Sequence, residues 1–228
     1  MVWRAELTRR DRVRQVLAAV VATGVLIAPW CVYNLSRFDE PTLLSSGLGF
    51  TLDSSACDQA YYGPFVGYWS RDCVLETERV SGLPADADRS RIDLAHRDHA
   101  VDYIDAHLSR LPVVVAARLG RITGLFRVRQ QVQLDNFAGG REVWVAWSSW
   151  GWFWALGVLS IPGAILLRRR RIPLFPLVAL PVLAVLTTAV FFALFRYRAG
   201  AEVALVLLGA VALDAAIGLR FRGSMARA

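Results

Sequence analysis

The side chains able to do acid–base, metal or phosphate chemistry fall in a few clusters. His96, His99 and His107 are the three histidines of the chain, and Asp98, Asp102 and Asp105 stand among them. His96 and His99 are three apart on a predicted helix, a spacing that can chelate a metal. Projected at about 100° per residue, they lie well away from the Leu94/Val101/Leu108 face. A solvated polar face therefore accounts for them, and no metal site is expected. Asp39 and Glu40 form the only carboxylate pair close behind the first hydrophobic run. A carboxylate there could act as general base toward an acceptor hydroxyl. A polar loop start explains the pair as well, and no catalytic role is assigned to it.

Two arginine pairs suit phosphate. Arg118 and Arg121 sit three apart among Val113, Val114, Leu119, Ile122, Leu125 and Phe126, a pattern expected of an interfacial helix with cations at headgroup level. Arg196 and Arg198 flank Tyr197 on a tight turn between apolar runs. A guanidinium binds phosphate through a bidentate fork, so either pair could hold the phosphate of a membrane lipid. Snorkelling to any anionic headgroup is the alternative.

Tyr61, Tyr62, Tyr68 and Trp69 lie between Cys57 and Cys73, punctuated by Gly63 and Gly67. A Cys57–Cys73 disulfide would contribute roughly 3 kcal/mol and fits an oxidising compartment; two free thiols are the alternative. Closed in this way, the segment presents a compact aromatic lobe that suits a sugar ring, or equally a small core. Trp144, Trp147, Trp150, Trp152 and Trp154 crowd the start of the second hydrophobic run, where an aromatic belt at the headgroups competes with a platform for a sugar or lipid carrier. No P-loop, dinucleotide fingerprint, nucleophile elbow or zinc-type cysteine pattern is present, and no cofactor is expected.

What must position these residues is a membrane frame. The chain is 55% hydrophobic with mean hydropathy +0.40, yet the polar segment 33–142 carries 15 of the 19 acidic residues. That segment has 12 arginines against 15 acids; the remainder has 14 arginines against 4 acids, and 12 of those arginines flank hydrophobic runs on one side. The net charge of +7 is thus a topology signal, and nucleic acid is not an expected partner. Every cation is arginine, the mark of a GC-rich coding sequence.

Residues 15–36 are uncharged, enough to span a hydrocarbon core of about 30 Å. No small-x-small cleavage site follows them, and Trp30 before Cys31 argues against a lipoprotein site, so the run reads as an anchor. The sequence predicts an all-α membrane protein of about four transmembrane helices, with a mixed helical and irregular extracytoplasmic loop domain between the first and second. Residues 1–14 are assigned to a basic cytoplasmic N-terminus, 15–36 to the first span and 37–142 to the loop domain. The second span is 143–167, the cytoplasmic turn 168–171, the third span 172–195, the outer turn 196–198, the fourth span 199–219 and the cytoplasmic tail 220–228. This multi-pass arrangement in the cell membrane, with both termini cytoplasmic, satisfies the positive-inside rule on all three cytoplasmic segments. Pro162, Pro173, Pro176 and Pro181 predict kinked helices. Within the loop, helices are expected over 88–111 and 113–126, the second opened by Pro112, with mostly irregular structure through Gly82.

In this order the chain resembles the C-terminal half of a polytopic superfamily C glycosyltransferase. The type uses polyprenyl-phosphate sugars and includes protein O-mannosyltransferases and aminoarabinose transferases, with actinobacterial members most alike. The matching residues are Ala28-Pro29-Trp30 with Asn34 and Phe38, then Pro41 and Leu43-Leu44-Ser45-Ser46-Gly47 leading into Gly49. Tyr61-Tyr62-Gly63, Gly67-Tyr68-Trp69 and residues 100–104 follow. Ala116-Ala117-Arg118 with Arg121 and Gly124, and Arg196-Tyr197-Arg198 before Ala201-Glu202, complete the set. The resemblance implies transfer of a sugar from a polyprenyl phosphate to a cell-envelope acceptor on the outer face. It implies substrate-side roles for Arg118, Arg121, Arg196, Arg198, Tyr68 and Trp69. It places the catalytic carboxylate in an earlier outer loop that Asp39 and Glu40 do not match, so the expected product is a truncated or split family member, or a subunit needing a companion membrane protein. Expected partners are membrane lipid and a polyprenyl-phosphate sugar. The alternative is a non-catalytic multi-pass protein whose outer domain binds an envelope partner. Transport is disfavoured, because Glu202 and Asp214, near the ends of the last run, are the only charges within the spans.

Overall fold

The computed structural model describes residues 8–84, 86–140 and 142–225, with side chains to residue 218. Arg4 and Arg227, and the side chains of Arg220 and Arg222, lie outside the described residues. All regular structure among the described residues is helical: α1 (Arg9–Arg37), α2 (Leu48–Asp53), α3 (Asp58–Tyr61), α4 (Arg71–Ser81), α5 (Arg89–Ala106), α6 (Leu111–Thr123), α7 (Val128–Gly139), α8 (Val143–Arg169), α9 (Phe175–Val190) and α10 (Ala199–Met225), with 3₁₀ turns at Leu108–Arg110 and Phe195–Arg198. Three stretches are long and apolar enough to cross a membrane: α1, α8 and Phe195–Gly218. The polar segment does not form one domain of its own. The chain divides into a unit of residues 1–57 and 70–108 and a unit of residues 58–69 and 109–228.

In the first unit, α1 opens on a reciprocal cap: the Asp11 N–H donates to Thr8 Oγ1, whose hydroxyl donates back to Asp11 Oδ2 at 2.6 Å. Its most apolar window buries nothing against the protein, so the helix offers greasy side chains all round, as a lipid-facing helix does. Only its far end is tied down. Asn34 Nδ2 donates to Leu43 O at 3.0 Å and Trp30 Nε1 to Leu44 O at 3.0 Å. The region expected to be irregular holds α4, capped by Ser70 at its start and left-handed Gly82 at its end. Its buried residues are Cys73, Val74 and Thr77. Helix α5 begins where Ser90 N–H donates to Asp88 Oδ1 at 2.8 Å. These bonds from Ser90, hydroxyl first, hold the Asp88 carboxyl below its ordinary range. Helices α2 and α5 pack together at Gly49, where a Cβ would collide with Asp93 O and the Arg97 backbone nitrogen.

In the second unit, α8 and α10 are the main pair; they meet closely at Gly163, where a Cβ would collide with the Leu208 carbonyl, and at Gly209, beside Leu159. The run 172–195, expected to be one span, is not a continuous helix. Helix α9 stops at Val190, and residues 191–194 carry no regular structure before the 3₁₀ turn. Sixteen residues extend about 24 Å, short of a hydrocarbon core. Hydropathy continues past the break because Phe191, Phe192, Ala193 and Leu194 are all apolar. Phe191, Phe192 and Leu194 pack into a core with Tyr68, Trp69, Phe65, Leu134 and Tyr197.

Candidate functional site

The break after α9 explains where two of the predicted phosphate ligands go. An unravelled backbone in an apolar run leaves carbonyls without helical partners, and these must be satisfied. Arg118 Nη1 donates to Ala189 O and Val190 O, each at 2.8 Å. The amide of Ala193 donates to Gly67 O at 3.1 Å, and Gln131 Nε2 donates to Ala193 O at 3.4 Å. The Phe195 amide donates to Asp135 Oδ2 at 3.3 Å. Gly67, which accepts the Ala193 amide, has φ +77°, and a Cβ there would meet the Ala117 carbonyl carbon at 2.8 Å. Only glycine serves at that position.

Arg121 is fully buried and ties the 58–69 segment to α6 and α7. Its Nε donates to Val66 O at 2.6 Å, Nη1 to Gln131 Oε1 at 3.1 Å and Nη2 to Gln130 Oε1 at 2.8 Å. Burial, with no carboxylate as first partner, pulls both guanidiniums down to about 10. The expectation of cations at headgroup level on an interfacial helix is corrected: both side chains are buried among backbone carbonyls and amides. Tyr68 and Trp69 are likewise core. Tyr68 is 2% exposed, stacks on Trp69 with ring centroids 6.0 Å apart, and burial followed by the Asp135 charge raises its phenol to about 12.

The two arginines of the 3₁₀ turn differ from each other. Arg198 is buried, donates from Nε to Glu202 Oε1 at 2.7 Å and from Nη2 to Ser149 O at 3.2 Å, and lies over the rings of Phe153 and Phe195. Arg196 is exposed, and beyond the Tyr197 ring at 5.8 Å it has no hydrogen bond or ion pair among the described residues. It lines a cavity with Asp135, Ser149, Leu194, Phe195 and Ala146. Of the five tryptophans at the start of α8, Trp144, Trp147 and Trp152 are exposed, whereas Trp150 donates from Nε1 to Gly124 O at 3.1 Å and serves the fold.

In the first unit Cys57 and Cys73 are joined, and both are buried. Cys31 is free. Asp39 is exposed and 4.0 Å from Arg91; the Glu40 amide donates to Ser90 Oγ at 2.9 Å. The histidines are not a solvated face. His96 is 2% exposed, and its Nδ1 is 2.7 Å from Asp53 Oδ2. His99 Nδ1 is 2.8 Å from Asp53 Oδ1 and 2.7 Å from Thr77 Oγ1. Asp53 itself is fully buried at the end of α2. Helix α5 thus turns Ser90, His96 and Ala100 inward and leaves Val101 exposed, because Asp53 gives the imidazoles a partner that a helical projection does not include. Only His107 of the three caps locally, with Nδ1 2.7 Å from Tyr103 O. No set of three or more His, Cys, Asp and Glu suited to a metal ion occurs among the described residues.

Asp53 carried a signal that was open to reading: it is the only charged residue in 41–57. A lone acid in such a stretch is either exposed or paired. Gln131, which serves both Arg121 and the α9 break, had none. No protein family, curated protein or solved structure matches the chain.

Proposed function

We propose that the chain is the lipid-phosphate-holding part of a polyprenyl-phosphate-sugar transferase, with Arg196 as the cation that meets the phosphate. The single observation behind this reading is the division of labour among the four candidate arginines. Arg118, Arg121 and Arg198 are buried and committed to carbonyls, glutamines or Glu202. Arg196 is exposed beside a cavity that also holds Asp135 and Ser149. In this reading α1, α8, the interrupted α9 and α10 embed in the bilayer as four membrane segments with both termini cytoplasmic, and the 196–198 turn lies at the outer surface. Exposed Trp144 and Trp152 then sit at headgroup depth. In this reading the carboxylate base of the reaction is supplied by another segment, of this protein or of a companion.

Binding tests this without turnover. The full chain in nanodiscs is titrated with a polyprenyl phosphate and, separately, with the uncharged polyprenol, following tryptophan fluorescence. The phosphate is expected to bind about tenfold tighter, and Arg196→Ala to remove the difference, as loss of a charge-assisted bond does. Equal affinity for the two lipids, or an unchanged preference in Arg196→Ala, rejects the proposal.

A further inference from the structure

The Asp53–His96–His99 cluster is more than a packing solution, because it leaves polar valence unused beside a cavity. A carboxylate offers only lone pairs, so Asp53 accepting at both oxygens requires the proton of each imidazole to sit on Nδ1. In the neutral ring this leaves the lone pair on His96 Nε2. That Nε2 has no hydrogen-bond partner among the described residues, and although little of the side chain is exposed, the nitrogen is not sealed from solvent.

His96 lines a cavity of about 530 Å³ together with Ser46, Phe50, Thr51, Arg89 and Asp93. This volume falls within the range of small-molecule sites, roughly 300–1,000 Å³. Phe50 stands edge-to-face with the His96 ring at 5.4 Å yet keeps 48% of its surface exposed. Asp93 uses Oδ1 to accept the Phe50 amide at 3.0 Å, which fixes its carboxylate at the wall. The cavity therefore combines an aromatic ring, a lone-pair acceptor, a fixed carboxylate, an exposed guanidinium on Arg89 and the Ser46 hydroxyl. Acceptors and donors at the edge of one aromatic face match a ring with apolar C–H faces and an equator of hydroxyls.

We infer that this cavity binds one ring of a neutral carbohydrate, with a sugar hydroxyl donating to His96 Nε2 and the ring packing on Phe50. The ring can belong to a free envelope glycan or to a lipid-linked sugar; the chemistry recognised is the same. The inference is independent of the Arg196 reading.

The chain has three histidines, so ¹⁵N-histidine labelling of the full protein in nanodiscs gives a spectrum of three imidazoles. In the free protein His96 is expected to show a protonated Nδ1 and an unprotonated Nε2. Titration with methyl mannopyranoside, methyl glucopyranoside and methyl arabinofuranoside, each to about 50 mM to cover weak affinities, is expected to move the His96 Nε2 signal with at least one sugar and to leave His107 in place. Phe50→Ala is expected to weaken that sugar about tenfold while the His96 tautomer is unchanged, which shows the cluster still folded. A polyprenyl-phosphate sugar moving the same signal, with no free glycoside doing so, assigns the ring to the lipid-linked source. A protonated Nε2 in the free protein, no response to any of these sugars, or full binding in Phe50→Ala overturns the inference. Arg196→Ala leaves the His96 response intact, so the two readings fail separately.

Discussion

Each unit buries a polar network, and the two are built with opposite stoichiometry. In the unit of residues 58–69 and 109–228, the guanidiniums of Arg118 and Arg121 face carbonyls of Ala189, Val190, Val66 and Pro64 and the side-chain amides of Gln130 and Gln131. Donors there are spent on a backbone that the fold has unwound. In the unit of residues 1–57 and 70–108, one carboxylate orients two imidazoles and each ring keeps its second nitrogen. The lesson is that burial of a charged side chain does not itself mark a site. What distinguishes a candidate site is polar capacity that opens onto a cavity, as His96 does.

The largest expected effect strikes the arginine network. Arg121→Ala leaves the Val66 carbonyl and Gln131 without their donor, and a loss of more than about 3 kcal/mol is expected by thermal unfolding in detergent. Arg121→Lys should restore little, because one ammonium cannot reach partners arranged for a planar fork. A mild Arg121→Ala variant would break the contrast. Next comes the Cys57→Ser/Cys73→Ser pair, expected to cost about 3 kcal/mol on the chain-entropy estimate and to loosen the anchoring of α4. Asp53→Asn keeps the shape but offers one acceptor oxygen where there were two, and a loss of about 1–3 kcal/mol is expected. The same variant should release the His96 tautomer in the ¹⁵N spectrum, which sharpens the comparison because no ring signal reports on the arginine network.

A smaller effect is read in alkali. Folded Tyr68 holds its proton to about 12 where an ordinary phenol releases it near 10. Its contribution to stability is therefore intact below about pH 10 and is lost as pH rises from about 10 to about 12. The depressed guanidiniums of Arg118 and Arg121 act in the opposite sense over the same range, so the difference between wild type and Tyr68→Phe isolates the phenol. Absorbance at the phenolate band should lose its latest step in Tyr68→Phe. The smallest effect is that of Arg196→Ala on folding, under about 0.5 kcal/mol, because an exposed guanidinium with no ion pair supports little.

Much of the frame was legible. The uncharged runs 15–36 and 143–167 fall within helices 9–37 and 143–169, and Pro112 opens α6 as expected, although that helix stops at Thr123 on left-handed Gly124 and does not continue to 126. The end of α9 was not legible, since Phe191 to Leu194 are as apolar as a spanning helix and the cause of the break lies in partners 50 and more residues away. The same distance hid the role of His96: its partner is 43 residues earlier. Helical projection ranks faces by hydrophobicity, and a face buried against a carboxylate reads as solvent. The arginine pairs were found by type, but Arg196 and Arg198 are indistinguishable in sequence except that Glu202 stands four residues after Arg198.

The interruption after α9 also has a consequence for the order of biosynthesis. The groups that satisfy its backbone, Gly67, Arg118, Gln131 and Asp135, are all encoded before it. When residues 189–195 leave the ribosome, every partner they require has already been made, and chains fold from the N-terminal side as they emerge. The apolar strand can be captured on arrival and need never wait in lipid with bare peptide groups. A rearranged gene in which residues 58–139 follow residue 195 would contain every contact described here, yet it would present the break before anything existed to hold it.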